Sequence, residues 1–208
     1  MKQDEVWDKI AEPWQKYRKY SPKEVVDFLK DKKGKILDVG CGSGRNIIAN
    51  PHISYYGVDF SEEMLKFARE NAKKKGVKYI LKKSGAEELP FEDNFFEVAI
   101  CISTLHCIEN EKNRKKTLEE LYRVLKKDGE AMISVWNKDT NDKLSELKTK
   151  EGYLNWQKDG KTYQRYYYFY DKDELQKLLQ SIGFKVLKTR ISGDEKHSKK
   201  NFIFYVKK

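Results

Sequence analysis

Three glycines at alternate positions, Gly40, Gly42 and Gly44, and a later carboxylate, Asp59, are the residues most suited to holding a ligand. Glycine tolerates positive φ and lets a ligand approach the backbone more closely than a Cβ would allow. Asp59 follows Gly40 by 19 residues, close to the spacing at which an acid reaches a ribose hydroxyl. This spacing predicts a nucleoside-binding site. The alternative is an ordinary tight turn in which Asp59 only caps the following helix.

The two best-known glycine motifs for phosphate binding do not fit this loop. A dinucleotide fingerprint counted from Gly40 needs its third glycine at position 45, which is Arg45, and a count from Gly42 ends at Ile47. A P-loop ends in Gly-Lys-Ser or Gly-Lys-Thr, and the loop has no such ending. The glycines therefore point away from these two motifs.

A second set of candidate residues falls later in the chain. His106 and Trp136 follow two apolar runs that predict neighbouring strands, and Arg165 lies in an aromatic run at residues 163–170. Ligands bind beyond the carboxyl ends of strands in an open α/β sheet, so His106 is expected at the reaction centre, although a lone histidine is often structural. The aromatic run suits base stacking, or else an edge strand with alternate rings in the core. We expect one face to be packed and the other to present Arg165 to substrate.

Apolar and alternating patterns place these residues on an α/β sheet. They predict seven strands, at residues 36–39, 54–59, 77–82, 95–103, 130–136, 184–191 and 202–206. Helices are predicted between the strands, including one that begins at Arg45 and one capped by Ser61. We expect a single domain over residues 1–208, with an N-terminal helical cover at 1–34 and an insertion or substrate lid at 137–170.

Composition bounds the class of protein. The chain has 208 residues, enough for one α/β domain with a modest insertion, and a net charge of +10. The basic excess favours a polyanionic partner, but lysine interspersed with glutamate is also typical of heat-adapted surfaces. Cys41, Cys101 and Cys107 form no C-x-x-C pair, which favours reduced thiols. No apolar run approaches membrane-spanning length, so a cytoplasmic location and no membrane partner are expected.

The run D-V-G-C-G-S-G at residues 38–44 resembles the first motif of class I S-adenosylmethionine (SAM) methyltransferases. The resemblance implies a Rossmann-like seven-stranded sheet with helices on both faces and a C-terminal antiparallel hairpin. It implies SAM as cofactor and S-adenosylhomocysteine as product. An N-terminal helix closes over the cofactor in such enzymes, so Arg18 is a candidate to pair with the methionine carboxylate, or else a surface arginine. The cofactor-binding residues implied are Arg18, Asp38, Gly40, Gly42, Gly44, Asn46, Asp59, Phe60, Met64, Gly85, Ala86 and Ser103.

The segment S-G-A-E-E-L-P-F at residues 84–91 also resembles these enzymes, which usually carry G-D-A-E-x-L-P-F there. In them the acid takes the adenine amino group and the next backbone N–H meets the ring. Gly85 stands here in place of the acid. Adenine is then left to the Ala86 backbone and to apolar walls.

The whole chain resembles the tRNA methyltransferases that esterify 5-carboxymethyluridine at the wobble position. The matching pieces are I-A-x-x-W-x-x-x-R at 10–18, C-I-S-T-L-H at 101–106, M-I-S-V-W at 132–136, Q-R-Y-Y at 164–167 and N-F at 201–202. Gly85 departs from the family pattern, and so does Cys107, where a second histidine is common. The resemblance implies tRNA and a small zinc-binding activator subunit as partners. The residues it implies are His106 and Arg165 for catalysis and Trp136, Tyr166 and Tyr167 for substrate binding.

The implied reaction is direct displacement by a carboxylate, which is ionised at neutral pH and needs neither a general base nor a metal. His106 and Arg165 would position that carboxylate. A small-molecule methyltransferase, acting on a quinone, sterol or polyamine precursor, shares the glycine and E-x-L-P-F motifs but does not predict the basic surface. A non-catalytic SAM-binding scaffold is a third reading, which Gly85 supports and the intact glycines and Asp59 oppose.

Overall fold

The computed structural model describes residues 1–137, 147, 149–192 and 201–208. Part of the predicted insertion at 137–170 therefore lies outside the described residues, at 138–146 and 148. The strands are β1 (Gly34–Val39), β2 (Ile53–Asp59), β3 (Tyr79–Lys83), β4 (Phe96–Ile102), β5 (Leu125–Trp136), β6 (Glu151–Lys158), β7 (Lys161–Tyr168), β8 (Lys185–Ile191) and β9 (Asn201–Lys207). The helices are α1 (Gln3–Tyr17), α2 (Lys23–Leu29), α3 (Glu62–Lys74), α4 (Glu111–Val124) and α5 (Lys172–Ile182).

Seven strands form one sheet in the order β3-β2-β1-β4-β5-β9-β8. Neighbours from β3 to β5 pair in parallel, whereas β9 is antiparallel to both β5 and β8. The order reverses between β1 and β4, and ligands of open α/β sheets bind beyond the carboxyl ends of the strands at that point. The predicted Rossmann-like sheet with a C-terminal antiparallel hairpin is confirmed.

Helices cover both faces of this sheet because the parallel strands are apolar on both sides. Along β1, Ile36 belongs to the same buried cluster as Leu29 of α2, whereas Leu37 belongs to the cluster that contains Leu118 and Leu121 of α4. All five side chains have no exposed surface. Burial of each such aliphatic side chain stabilises the fold by about 1.5–3 kcal/mol.

Local signals fix where two helices begin. The Ser61 hydroxyl accepts from the Met64 N–H at the start of α3, as predicted. At α5, Asp171 and Glu174 form a complete capping box, and the helix ends at Gly183, whose φ is +115°. Among the described residues no helix is long and apolar enough to cross a membrane.

The prediction that a helix begins at Arg45 is wrong. Residues 42–46 form turns, and the chain then runs without regular structure to β2. Gly40, Gly42 and Gly44 all have positive φ, so the first residues after β1 cannot start an α-helix. Asn50 precedes Pro51, a position that disfavours the α conformation. The loop therefore presents turns, not a helix N-terminus, to the sheet edge.

The predicted insertion or substrate lid at 137–170 contains a strand, β6, that the sequence patterns did not predict. Strands β6 and β7 form a separate antiparallel hairpin with Lys158 opposite Lys161. The two residues between them, Asp159 and Gly160, have φ of +49° and +70°. Asp-Gly is a strong signal for a two-residue hairpin turn with positive φ at both positions. The largely polar strand β6 hid this signal from a reading based on apolar periodicity.

Helix α1 connects this hairpin with the main domain. Gln3 donates from its side-chain nitrogen to the Gln164 carbonyl at 3.2 Å and accepts from the Tyr166 N–H at 3.0 Å. At the other side of α1, Asp8 accepts from the Ser61 hydroxyl at 2.6 Å and from the Glu63 N–H at 3.1 Å. The predicted N-terminal helical segment therefore contacts β7 and α3 at once.

Candidate functional site

A cavity of about 500 Å³ lies at the carboxyl ends of β1 to β5, beside α1. Its volume is in the range of small-ligand and cofactor sites. Among the residues that line it are Trp7, Trp14, Arg18, Gly40, Gly42, Arg45, Asn46, Asp59, Phe60, Met64, Ser84, Gly85, Ala86, Glu87, Ser103, His106, Cys107, Trp136 and Tyr167.

The turns at residues 40–46, here called the glycine loop, form one wall. A Cβ on Gly40 would stand 2.2 Å from Thr104 Cγ2, so glycine is required where this loop crosses the residue that follows β4. A Cβ on Gly42 would have no atom within 4 Å, and Gly42 lines the cavity. Gly44 does not line the cavity but packs on Ala68 of α3. Gly42 thus leaves open backbone facing a ligand.

Asp59 ends β2 and joins the glycine loop to α3. Its carboxylate accepts from the Gly42 N–H at 2.8 Å and from the Ser61 N–H at 3.0 Å. Burial raises the pKa of Asp59 to about 6, against the effect of these two backbone donors. A carboxylate can accept more than two hydrogen bonds, so Asp59 retains capacity for ligand hydroxyls.

Asp38 lies beneath the glycine loop and does not line the cavity. One carboxylate oxygen accepts from the Asn46 side chain at 3.3 Å, and the other is buried without a partner in the described part of the chain. The Asn46 side-chain oxygen is also buried and unpartnered there. Burial raises the pKa of Asp38 to about 7. The buried position therefore favours the neutral form of this carboxylate more than water would.

Two guanidinium groups, those of Arg18 and Arg45, line the cavity. Neither has a carboxylate within ion-pair distance among the described residues. Burial and the neighbouring Arg18 lower the pKa of Arg45 to about 10, against the attraction of Asp38. Arg18 also acts electrostatically on His106 and Tyr167. The cavity wall therefore carries two cations that are close enough to repel each other.

His106 is held in a 3₁₀ turn, Leu105–Cys107, immediately after β4. Ser103, with φ of +57°, redirects the chain there. His106 is 1% exposed, and its Nδ1 accepts from the Trp136 N–H at 3.4 Å. Burial, with a smaller effect of Arg18, lowers the pKa of His106 to about 3. The imidazole is therefore neutral, its proton lies on Nε2, and Nε2 has no partner among the described residues.

His106, Trp136 and Tyr167 form an aromatic stack that lines the cavity. The rings of Trp136 and Tyr167 lie 4.5 Å apart at 12°, and that of His106 lies 5.7 Å from Tyr167 at 22°. The expected meeting of His106 and Trp136 at one sheet edge is thus observed. Cys107, at the position of the family's second histidine, also lines the cavity.

Arg165 was expected to be presented to substrate, but its side chain does not line the cavity. It is 4% exposed and lies behind the aromatic stack, donating to the Tyr167 hydroxyl at 2.7 Å. Its guanidinium is 5.2 Å from the Trp14 ring centre and 4.9 Å from that of Trp156. The strand carries rings on both faces because the hairpin packs against α1 and against the turn that holds His106.

Tyr166 also lies off the cavity, on the opposite face of β7. Its hydroxyl accepts from Arg114 at 2.8 Å and donates to Glu151. Sequence reasoning missed Arg45 and Glu87, both of which line the cavity. Arg45 directly follows the third glycine, and this adjacency was the available signal.

No group of three or more His, Cys, Asp or Glu side chains within the described ranges is placed to hold a metal ion. Cys41, Cys101 and Cys107 are free thiols. Burial raises the pKa of each thiol. None of the three is therefore a thiolate at neutral pH.

Comparison with known proteins agrees with the fold described above. Residues 30–183 match the family described as "Methyltransferase domain". A SAM-dependent methyltransferase from Methanosarcina mazei superposes with a TM-score of 0.75 at 21% identity, covering 91% of this chain and 98% of that one. At this identity the superposition supports the fold.

Two relatives carry the name tRNA (carboxymethyluridine(34)-5-O)-methyltransferase. The Arabidopsis thaliana protein is 34% identical to this chain. The match covers 66% of this chain but only 33% of that relative's length. The Schizosaccharomyces pombe protein is 29% identical, over 88% of both chains.

The residues present fit SAM. Gly42 leaves open backbone beside Asp59, which can accept from ribose hydroxyls, and Arg18 and Arg45 are cations that no carboxylate of the described residues neutralises. SAM supplies a methyl group already activated by a sulfonium. The family match, the seven-stranded sheet and this donor set agree. The chain belongs to the methyltransferase domain family and is a class I SAM-dependent methyltransferase.

Proposed function

We propose that this enzyme methylates the carboxymethyl group of a wobble uridine in tRNA. The observation that carries the proposal is the aromatic stack with the Nε2–H of His106 beside it, a donor that no described residue satisfies. Aromatic faces suit an unstacked base, and a buried N–H donor suits a carboxylate or carbonyl oxygen. The names of the two relatives support the same substrate.

The neutral state of His106 determines its part in the reaction. Nδ1 is an acceptor for the Trp136 N–H, so Nε2 can donate a hydrogen bond but cannot remove a proton. A carboxylate substrate needs no base, because it is ionised already. With SAM bound, its oxygen would accept the methyl group from the sulfonium, and the products would be a methyl ester and a neutral thioether. His106 would hold that oxygen in line with the methyl group.

The two cavity arginines match two carboxylates, one on the cofactor and one on the substrate. Arg45 belongs to the glycine loop and lies near Asp38, so we assign it to the methionine carboxylate. Arg18 acts on His106 and Tyr167, so we assign it to the substrate carboxylate in place of its expected cofactor role. Arg165 then acts through Tyr167. Its donated hydrogen bond leaves the Tyr167 hydroxyl hydrogen for another acceptor.

The partners and the location stay predictions. The net charge of +10 supports a polyanionic partner such as tRNA. A zinc-binding activator subunit and a cytoplasmic location rest on resemblance and on composition.

The test is mass spectrometry of nucleosides from carboxymethylated tRNA after incubation with methyl-labelled SAM, with and without an activator subunit. We expect the label on the carboxymethyluridine of wild type and not on tRNA that lacks the carboxymethyl group. Arg18→Ala and His106→Ala should lose transfer at least tenfold while S-adenosylhomocysteine affinity stays within about threefold, whereas Arg45→Ala should lose about tenfold in that affinity.

Two outcomes would redirect the proposal. Unlabelled tRNA with normal S-adenosylhomocysteine binding would favour a small-molecule substrate or a scaffold. A loss of affinity in Arg18→Ala and not in Arg45→Ala would reverse the assignment of the two arginines.

A further inference from the structure

The wall of the cavity beyond Asp59 is formed by the segment that follows β3. Strand order places β3 next to β2, and the Ser84 N–H donates to the Asp59 carbonyl at 3.1 Å. Ser84, Gly85, Ala86 and Glu87 all line the cavity. A ribose held by Asp59 therefore directs its base against this segment.

In this segment the Glu87 side chain occupies the space that a side chain at position 85 would fill. A Cβ on Gly85 would stand 2.6 Å and 2.7 Å from the two carboxylate oxygens of Glu87. A tight turn causes this approach, because the Glu88 N–H donates to the Gly85 carbonyl at 3.3 Å. The Ser84 hydroxyl fastens the same turn by donating to the Glu88 carbonyl at 2.5 Å.

The Glu87 carboxylate is also available to a ligand. It is half-buried at the cavity wall and has no hydrogen bond or ion pair within the described part of the chain. Of the four lining residues, Glu87 alone offers a charged side-chain acceptor, since the Ser84 hydroxyl is neutral and the other two side chains carry no polar atom. A carboxylate accepts from an amino group and repels a carbonyl oxygen.

We propose that Glu87 recognises the adenine amino group of the cofactor, in place of an acid at position 85. The inference rests on SAM dependence but not on tRNA as substrate. It predicts that the enzyme discriminates between a 6-amino and a 6-oxo purine through one carboxylate. Gly85 is then not a sign of a decayed site, because its missing side chain makes room for Glu87.

The test compares the calorimetric affinities of S-adenosylhomocysteine and its deaminated form, S-inosylhomocysteine. We expect wild type to prefer the adenine form by at least tenfold, and Glu87→Ala to lose about tenfold or more in adenine affinity together with that preference. Glu87→Gln can still accept a bond but can also donate to a 6-oxo group, so its preference should fall as well. Glu88→Ala is the matched control, because Glu88 is exposed and off the cavity, and it should behave as wild type.

A compensating variant separates recognition from folding. Gly85 does not have positive φ, and the nearest atoms to its Cβ are those of Glu87, so Gly85→Asp should be accepted in the Glu87→Ala background. We expect this double variant to regain at least a threefold preference for the adenine form. A Glu87→Ala protein that keeps the wild-type preference overturns the inference while leaving the cofactor in place. A wild type that binds neither compound overturns both.

Discussion

Both ends of the cavity hold buried polar atoms without partners in the described part of the chain, but only at the end with the aromatic stack do these atoms lie among rings packed against one another. Among the described residues, the unpartnered atoms at the glycine-loop end are one oxygen each of Asp38 and Asn46, and those at the other end are Nε2 of His106 and Nε of Arg165. Trp136 and Tyr167 are stacked, and Arg165 lies behind them among further rings. An unmet buried polar group costs stability until a ligand satisfies it, whereas packing stabilises the fold with or without ligand.

The difference implies that the two ends are prepared for their ligands in different ways. At the glycine-loop end the Arg45 guanidinium lines the cavity and has no carboxylate within ion-pair distance among the described residues, so a ligand carboxylate bound there should stabilise the protein strongly. The aromatic stack is ordered beforehand, so a base that enters it loses little free energy to reorganisation. Three substitutions and one pH series test this contrast.

The largest effect is expected for Arg165→Ala. The guanidinium is buried, bonded to the Tyr167 hydroxyl and placed near three aromatic rings. Its removal should lower the free energy of unfolding by about 2–4 kcal/mol, mainly through lost packing and cation–π contacts. Denaturant unfolding measures this, with Arg190→Ala on exposed strand β8 as the control. A loss below about 1 kcal/mol would mean that the packed end does not depend on Arg165.

Arg165→Lys sharpens the same point. Lysine keeps the charge but loses the planar fork that bonds Tyr167 and lies against the rings. We expect most of the stability loss to remain, with S-adenosylhomocysteine affinity close to wild type, because Arg165 does not line the cavity.

We expect Asp38→Asn to raise the free energy of unfolding, by less than Arg165→Ala lowers it. Because the pKa of Asp38 is raised to about 7 in the fold, its contribution to stability is complete below the unfolded pKa and is lost as pH rises through 7. The neutral amide removes that loss and can bring a donor to the Asn46 oxygen. The variant should gain about 1–3 kcal/mol at pH 8 and little at about pH 4. Equal gains at both pH values would show that burial of charge is not the cause.

The smallest effect concerns the pH dependence of ligand binding at Asp59. Ligand hydroxyls favour the ionised carboxylate, so binding should lower its pKa from about 6 and release protons. Affinity for S-adenosylhomocysteine should fall by about threefold to tenfold between pH 7.5 and pH 5. Calorimetry in two buffers of different ionisation heat measures the released protons. In Asp59→Asn the fall should be much reduced, and an unchanged fall would assign it to another group.

Local sequence predicted the sheet well, because each strand carries its own apolar pattern and parallel strands are buried on both faces. The signals for Asp59 and His106, a spacing of residues and a position after β4, could likewise be recognised within short stretches of sequence. The orientation of Arg165 was not, since it depends on Trp14 of α1 and Trp156 of β6, which are distant in sequence. The position of Glu87 was hidden for a different reason. A motif aligns position 85 with an acid, but only the fold shows that the side chain two residues later returns to the same space.

The attachment of α1 at two points bears on the rate at which ligands can leave the cavity. Gln3 joins this helix to β7 and Asp8 joins it to α3, so α1 bridges the structures that hold the two ends of the cavity. A displacement large enough to break one attachment strains the other. Release of the demethylated cofactor and release of the methylated product would then require the same opening motion. The rate at which this one helix moves would limit the rate of both steps.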